Sequence, residues 1–360
     1  MAGNRMTVNE ILRMAVDCGA SDIFVTAGLP LTFKVKGSQV RREEDGRFTP
    51  EMTRELALAI CELAKRAPDC VTGDRTDDDF SVSVNGLGRF RVNLFRQRGS
   101  MAAVIRVIRF GIPTAQDMNI PPEVMRAASL RNGIVLVTGS AGSGKSTTLA
   151  CLINEINHTR SGHILTLEDP VEFIHRHDRC IVNQREIHCD CPDYVTAMRS
   201  ALRESPDVIL LGEMRDRETI EVAMTAAETG QLLFSTLHTT GAASTIDRII
   251  DAFPASQQQQ IRLQLSMVLR GVISQQLVPD VNGNPIPMFE IMYMNMAIRN
   301  MIREGKTHQL DAAIASGAAQ GMNTMDAALL KAYEAGRITA QTVIDNCTNY
   351  DTVSKRINIR

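Results

Sequence analysis

The first 110 residues alternate between helical and strand-like patterns of apolar positions. Helices are predicted over 7–18 and 52–64, and strands over 21–25, 31–35, 80–84, 89–95 and 101–108. The turn Asn85-Gly86-Leu87-Gly88 joins two of these strands, so a hairpin is expected there. This part of the chain is therefore predicted to be a mixed α+β domain.

Proline and glycine then interrupt the pattern. Gly111, Pro113, Pro121 and Pro122 fall within twelve residues, where neither a helix nor a sheet continues easily. We therefore place a linker at 111–122, between a first domain at 1–110 and a second domain at 123–360.

Short and almost wholly apolar runs follow the linker. They lie at 134–137, 164–167, 208–211 and 232–234, with helical stretches between them. Buried strands that alternate with helices favour an α/β fold with a mainly parallel sheet. Beyond Pro254 the apolar residues recur at helical spacing, and the rest of the chain is expected to be helical. This spacing includes Ile261, Leu265, Val268, Leu269 and Val272.

The composition restricts the function only broadly. The net charge of −2 gives no indication of nucleic acid as a partner, and none is expected. Neither a signal peptide nor an apolar run of the ~20 residues that span a membrane is found, so we expect a cytoplasmic protein. The eight cysteines contain no C-x-x-C pair. We interpret them as reduced thiols, with a metal or redox role of Cys189 and Cys191 left open.

A phosphate-binding motif follows the strand at 134–137. It reads Gly139-Ser140-Ala141-Gly142-Ser143-Gly144-Lys145-Ser146 and matches G-x-x-x-x-G-K-[ST]. Its glycines allow successive N–H groups to turn inward around a phosphate, and the N-terminus of the following helix favours the same anion. Lys145 is expected to reach the β- and γ-phosphates of ATP, and Ser146 to bind Mg²⁺. With Thr147, these residues form the predicted nucleotide-binding set.

Acidic residues follow two of the predicted strands. Asp207 and Glu213 stand at the two ends of the run 208–211, and ligands gather at the carboxyl ends of parallel strands. Glu213 is therefore the better candidate to orient the attacking water or to hold a Mg²⁺-bound water. Glu168 follows the run 164–167 and is expected at the same edge. The alternatives are a helix cap for Glu213 and a solvated turn for Glu168.

Further basic groups complete the candidate site. His238 ends the strand that begins at Leu232, where it could sense the γ-phosphate. Four arginines of the first domain stand at near-alternate positions: Arg89, Arg91, Arg96 and Arg98. An arginine supplied by another domain or subunit accelerates phosphoryl transfer by ~10³–10⁵-fold. The alternative for these arginines is the charged face of an exposed hairpin.

Together these segments resemble the secretion and pilus ATPase superfamily, and within it the retraction ATPases of type IV pili (the PilT family). The resemblance covers about residues 8–345 and includes GSAGSGKS, TLEDPVEF, DVILLGE and TGQLLFSTLHT. More diagnostic are GLGRFRVNLFRQRG, VNQREI, GEMRDRETIEVAMTAAETG and AIRNMIREGKTHQL. Two positions depart from the family pattern. Gln231 replaces the usual first histidine of the histidine box, and Ser205 replaces an acidic residue.

The resemblance implies a homo-hexamer with a PAS-like N-terminal domain, a RecA-like P-loop ATPase domain and a helical C-terminal part. It implies ATP and Mg²⁺ bound between subunits, with the arginines completing a neighbour's site. Glu213 would be the catalytic glutamate, Glu168 would act at the metal or the water, and His238 would belong to the site. The implied partners are an inner-membrane platform protein of the pilus machinery and other pilus ATPases, at the cytoplasmic face of the inner membrane.

The segment 297–306 favours a retraction motor over the alternatives. Assembly and secretion ATPases usually carry a longer N-terminal region and a tetracysteine motif, and a purely regulatory nucleotide-binding module would not need the intact set of catalytic residues. In a helix over this segment, Arg299 and Arg303 share one face. The resemblance suggests that they pass movement to the pilus machinery, and the alternative is packing within the second domain.

Overall fold

The structure is a computed structural model that describes residues 6–35, 37–108 and 111–357. The chain divides into two compact units. The first comprises the residues up to Gly111 together with Glu172–Ile174, and the second comprises Ile112–Val171 together with the residues from His175 onwards. Both units combine helices with a sheet, so the prediction of a mixed α/β protein is confirmed.

The first unit is built on an antiparallel sheet. Its helices are α1 (Val8–Asp17), α2 (Pro50–Leu63) and α3 (Asp69–Thr72). Its strands are β1 (Asp22–Thr26), β2 (Thr32–Val35), β3 (Ser38–Arg41), β4 (Asp77–Val84), β5 (Gly88–Gln97) and β6 (Ser100–Ile108). The strand order is β3-β2-β1-β6-β5-β4, and every neighbouring pair is antiparallel.

Local sequence signals explain where these elements begin. Thr7 caps α1 in a capping box with Glu10, and Thr49 caps α2 directly before Pro50. Along β5 the buried residues alternate with more exposed ones, which places Phe90 on the core side of the sheet. One face of this strand is therefore committed to packing.

The second unit contains a seven-stranded sheet. Its strands are β7 (Gly133–Thr138), β8 (Gly162–Glu168), β9 (Cys180–Glu186), β10 (Val208–Leu211), β11 (Leu232–Leu237), β12 (Leu269–Pro279) and β13 (Pro285–Tyr293). Its helices are α4 (Pro122–Met125), α5 (Lys145–Thr159), α6 (Tyr194–Ala201), α7 (Arg217–Glu228), α8 (Ala242–Asp251), α9 (Ala255–Val268), α10 (Met296–Arg303), α11 (Leu310–Ser316), α12 (Met325–Glu334), α13 (Ala340–Asn346) and α14 (Tyr350–Arg356).

The order of this sheet is β13-β12-β7-β11-β10-β8-β9. All neighbouring strands are parallel except β12 and β13. Every residue of β7, β10 and β11 is buried, because helices cover both faces. Leu237 lies opposite Thr138 and Leu211 lies opposite Leu167, so the carboxyl ends of four strands meet at one edge.

The prediction of a helical chain beyond Pro254 is wrong in one part. Helix α9 ends at Val268, and Leu269 and Val272 belong to β12, which pairs with β13 as a hairpin. Asp280 closes the turn by accepting hydrogen bonds from the backbone of Asn282 and Asn284. Strand β12 is buried on both faces over most of its length, so its apolar run has no alternation that separates it from a helix.

The segment that the sequence marks as a linker packs on the second unit. Ile120 is buried in the core of that unit, and the Cys151 thiol donates a hydrogen bond to the carbonyl oxygen of Pro113 at 3.2 Å. No helix within the described ranges is long and apolar enough to span a membrane.

A buried histidine makes the stability of the second unit depend on pH. His175 is 7% exposed, its Nδ1 has no hydrogen-bond partner among the described residues, and burial lowers its pKa to about 4. Because the pKa of an unfolded histidine is near 6.5, the unfolded chain binds a proton that the folded chain does not as the pH falls from 6.5 to 4. We expect this to remove up to about 3 kcal/mol of stability.

We predict that His175→Leu flattens the fall in melting temperature between neutral and mildly acidic pH, because the leucine has no proton to bind. The measurement is thermal unfolding of wild type and variant over this range. His308→Leu is the matched control, since His308 is exposed. An unchanged pH dependence in the His175 variant would contradict the prediction.

Candidate functional site

The phosphate-binding motif forms a tight turn between β7 and α5. Gly142 and Gly144 have φ of 78° and 88°, a region that favours glycine. The Lys145 side chain lies inside this turn, 8% exposed, and its Nζ donates hydrogen bonds to the carbonyl oxygens of Gly139 and Ser140 at 2.8 and 2.9 Å. The backbone of the loop therefore surrounds the ammonium group of Lys145.

The other members of the predicted nucleotide-binding set differ in exposure. Ser140, Ala141 and Ser146 are exposed, Thr147 is partly buried, and Ser143 is 3% exposed. The Ser146 hydroxyl thus stands at the accessible N-terminal turn of α5, where a cation beside a bound phosphate is reached.

Hydrogen bonds between neighbouring strands fix the position of Glu213. The backbone N–H of Gly212 donates to the carbonyl oxygen of Leu167 at 2.8 Å, and that of Met214 donates to Thr236 at 3.1 Å. The Thr236 hydroxyl also donates to the carbonyl oxygen of Gly212 at 2.7 Å. Glu213 is consequently held just beyond the carboxyl end of β10.

The Glu213 carboxylate lies between two basic side chains. It is 8% exposed, its Oε1 forms an ion pair with Arg215, and its Oε2 lies 3.5 Å from Nε2 of His238. Oε2 is buried without a hydrogen-bond partner among the described residues. The hydrogen bond that Arg215 donates to the Glu213 carboxylate raises the pKa of Arg215. Two residues predicted from separate strands, Glu213 and His238, are thus brought together.

Glu168 occupies the end of the neighbouring strand β8. Its Oε1 accepts hydrogen bonds from the Thr166 hydroxyl at 2.6 Å and from Nε2 of Gln184 at 3.2 Å. Tyr194 lies close by, since a Cβ added to Gly212 would be 2.6 Å from its hydroxyl oxygen. Burial, and then the charges of Asp169 and Glu213, raise the pKa of Tyr194, so its phenol is neutral near physiological pH.

The protein side chains at this edge of the sheet would bind Mg²⁺ only together with ligands from the nucleotide and from water. Within the described parts of the chain, no three His, Cys, Asp or Glu side chains are grouped to hold a metal. Hydroxyl and carboxylate oxygens are nevertheless the ligands that Mg²⁺ takes, and it is usually completed by phosphate oxygens and water. Ser146 and Glu168 match that incomplete protein contribution.

The four arginines of the first unit do not form one cluster. Arg91 makes a bidentate pair with Asp79, at 3.1 and 2.7 Å, and Arg89 lies on the same face of β5. Arg96 donates to the carbonyl oxygens of Cys70, Val71 and Gly73, where α3 ends. Arg98 is exposed in the turn that follows β5.

The two arginines of α10 also differ. Arg299 donates to the carbonyl oxygens of Ser266 and Met267, in the last turn of α9, which favours the packing alternative for this residue. Arg303 is exposed and donates a hydrogen bond to Asn300 of its own helix. Ile298 and Ile302 of the same helix are fully buried.

Three residues that raised questions in the sequence lie at the opposite edge of the sheet. Asp207 accepts a hydrogen bond from the backbone of His163 at 2.8 Å, at the amino end of β8. Gln231 precedes β11 and accepts from Thr229, and Ser205 lies in the turn before β10. The two departures from the family pattern are therefore away from the P-loop edge.

Sequence patterns gave no indication of Arg215, Tyr194 or Gln275 as site residues. Arg215 and Tyr194 lie beside the candidate carboxylates, and Gln275 of β12 contacts the P-loop. None of the three belongs to a spacing rule for phosphate binding. Cys189, whose role was left open, is exposed and donates to Oε1 of Glu186, and Cys191 is buried.

The P-loop, the parallel sheet and the acid at the end of β10 define a P-loop nucleotide-hydrolysing enzyme. Residues 4–286 match the family model described as type II/IV secretion system protein. The chain therefore belongs to this family, and it is an ATPase of it.

The chain is similar to several pilus proteins. It is 44% identical to the type IV pilus retraction ATPase PilT of Pseudomonas aeruginosa, over 90% of this chain and 93% of that protein. It is 47% identical to a twitching motility protein of Neisseria gonorrhoeae, over 77% and 74% of the two chains. A solved structure of the pilus retraction motor PilT with bound ADP superimposes with a TM-score of 0.88 at 41% identity, over 97% and 99% of the two chains.

We predict that Glu213→Gln keeps nucleotide binding within several-fold of wild type and lowers the hydrolysis rate by ~10²–10⁴-fold, because the amide neither accepts a proton nor orients water as a carboxylate does. Steady-state ATPase assays and titration with a fluorescent ADP analogue measure the two effects. Asp207→Asn is the control at the other end of the same strand. Loss of hydrolysis in Asp207→Asn together with normal hydrolysis in Glu213→Gln would reverse the assignment.

Proposed function

We propose that this protein is a hexameric motor that hydrolyses ATP to drive retraction of type IV pili. The observation that carries the proposal is the buried Glu213 beside His238 at the P-loop edge, in a chain similar over nearly its whole length to a pilus retraction ATPase. An assembly or secretion ATPase of the same family is the second candidate. The retraction-type segment 297–306 favours the first.

In this proposal the residues of the site divide the work of hydrolysis. The P-loop backbone and Lys145 bind the β- and γ-phosphates and offset their charge. Glu213 would orient the attacking water and accept its proton, and His238, whose Nε2 lies 3.5 Å from Oε2 of Glu213, would contact the γ-phosphate. Mg²⁺, held by Ser146 and Glu168 partly through water, would neutralise further phosphate charge.

We also propose that the first unit is a PAS-like domain and the second a RecA-like domain. A five-helix C-terminal part of the second unit, α10 to α14, follows its sheet. The strand order, with β11 between the P-loop strand β7 and the Glu213 strand β10, supports the RecA-like interpretation. The antiparallel sheet of the first unit, together with α1 and α2, supports the PAS-like interpretation.

We also propose that arginines of the first unit complete the nucleotide site of a neighbouring subunit, but the four candidates are not equally suited to this role. Arg96 already binds three carbonyl oxygens of its own unit, and Arg91 already pairs with Asp79. Arg98 is exposed, and an exposed guanidinium reaches a neighbouring subunit at lower cost than one engaged in its own domain. We therefore place Arg98 first, with Arg89 second.

The proposed setting is the cytoplasmic face of the inner membrane, against a platform protein of the pilus machinery. For coupling to that machinery, Arg303 is a better candidate than Arg299, because Arg299 binds the end of α9. Other pilus ATPases are further proposed partners. Nucleic acid is not proposed as a partner.

We predict that cells carrying Glu213→Gln in place of the wild-type gene accumulate surface pili and lose twitching, because pilus assembly continues without retraction. Electron microscopy of pili and a surface motility assay provide the measurement, and an Asp207→Asn strain is the matched control. A bald strain would instead support the assembly alternative.

We predict that an Arg89→Ala/Arg98→Ala protein and a Lys145→Ala protein, each inactive alone, regain part of the ATPase activity when mixed. Some interfaces would then combine an intact P-loop with intact arginines. The assay requires demonstrated subunit exchange, with Arg47→Ala, an exposed arginine of the same unit, as control. Absence of rescue despite exchange would argue against a shared site.

A further inference from the structure

Gln275 of β12 contacts both ends of the phosphate-binding loop, and we propose that it is the positioning residue that fixes the loop in its phosphate-binding shape. This inference rests on the proposed function, because it concerns how the same site binds nucleotide. Gln275 is 3% exposed and stands 129 positions beyond Ser146, the last residue of the motif.

The first contact comes from the backbone. Strand β12 is the parallel neighbour of β7, with Ser274 opposite Thr138, so Gln275 lies beside the residue at which the loop begins. A Cβ added to Gly139 would lie 2.2 Å from the carbonyl oxygen of Gln275. Gly139 therefore fits only because it has no side chain, and β12 forms a wall against the first residue of the loop.

The second contact comes from the side chain. A Cβ added to Gly144 would lie 2.8 Å from Nε2 of Gln275, so the amide is packed against the last glycine of the loop. Gly144 has a left-handed backbone, with φ of 88°, directly before Lys145. The same glutamine thus contacts the loop at its entry and at its exit.

The third contact orients the amide. The Thr148 hydroxyl, on the first turn of α5, donates a hydrogen bond to Oε1 of Gln275 at 2.7 Å in a buried environment. With Oε1 held by Thr148, the N–H groups of the amide are directed towards Gly144. A glutamine combines the acceptor for Thr148 with uncharged donors towards the loop, which neither leucine nor glutamate does.

A loop held in this way needs less ordering when a phosphate arrives. The conformational cost of arranging the loop N–H groups has already been met in folding, and preorganisation of this kind strengthens binding. Loss of the contacts between Gln275 and the loop should therefore weaken nucleotide binding much more than it slows the chemical step at Glu213, because hydrogen bonds to β8 and β11 hold Glu213 in place.

The next residue of the strand provides a matched control. Gln276 points to the opposite face of β12, where with Ser274 it lines a cavity of about 730 Å³ bordered by Glu290 and α12. Gln276 is partly buried and has the same side chain as Gln275, but it does not face the P-loop. The same substitution at the two positions therefore separates a local role at the loop from a general effect on the strand.

The test compares Gln275→Leu, Gln275→Glu, Gln276→Leu and Gln276→Glu in the full-length protein. Fluorescence titration with N-methylanthraniloyl-ADP gives the Kd, and ATPase assays give kcat and KM. We expect both Gln275 variants to bind ADP about tenfold more weakly, the size expected for loss of one buried neutral hydrogen bond, with KM raised and kcat within several-fold of wild type. Both Gln276 variants should match the wild type.

Two variants of the hydrogen-bond partner extend the test in case a Gln275 variant does not fold. Thr148→Val removes the hydroxyl that orients the amide and should weaken ADP binding, whereas Thr148→Ser keeps a hydroxyl and should restore most of it. The effects of Thr148→Val and Gln275→Leu should not add in the double variant, because each removes the same interaction.

Unchanged ADP affinity in folded Gln275→Leu, or equal losses at Gln275 and Gln276, would overturn the inference. So would a Gln275 variant whose kcat falls while its KM is unchanged. These outcomes differ from failure of the proposed function, in which the wild-type protein would bind ADP and hydrolyse ATP while its loss left pilus retraction unchanged.

Discussion

Parallel pairing of β8, β10, β11 and β7 brings the candidate functional groups of this protein to one edge of the sheet. Each strand contributes one group at or just beyond its carboxyl end: Glu168, Glu213, His238 and the P-loop. Because the central strands are buried on both faces, a shift in register would move apolar side chains out of their packing positions. The packing of the core therefore keeps the strands, and the residues at their carboxyl ends, in register.

The buried carboxylate of Glu213 makes the electrostatics of this edge specific. A carboxylate that is removed from water needs a partner, and Glu213 has Arg215 on one oxygen and His238 near the other. Arg215 is 70% exposed, so it can leave the pair without the burial of its own charge. Glu168 and Tyr194 lie beside Glu213 at the same edge of the sheet, at which the P-loop also begins.

The same strand geometry that assembles this site separates the arginines of the first unit. Successive residues of a strand face opposite sides, so Arg91 and Arg96 cannot act together from one face of β5. Arg96 satisfies carbonyl oxygens at the end of α3, which have no partner within the helix itself. A charged residue in a diagnostic sequence segment can thus serve the fold of its own unit.

The sequence by itself determined the P-loop, the strands that carry Glu168, Glu213 and His238, and the family, because these depend on local spacing and on wholly apolar runs. It also separated Glu213 from Asp207, since chain direction decides which end of a parallel strand faces the ligand. It failed at β12, where a strand buried on both faces has the same apolar run as a helix. Only the tertiary structure placed Tyr194 and Gln275 at the site, because their contacts join residues far apart in the chain and depend on the strand order. It also paired Arg215 with Glu213, because the direction of a side chain beyond the end of a strand is not encoded in spacing.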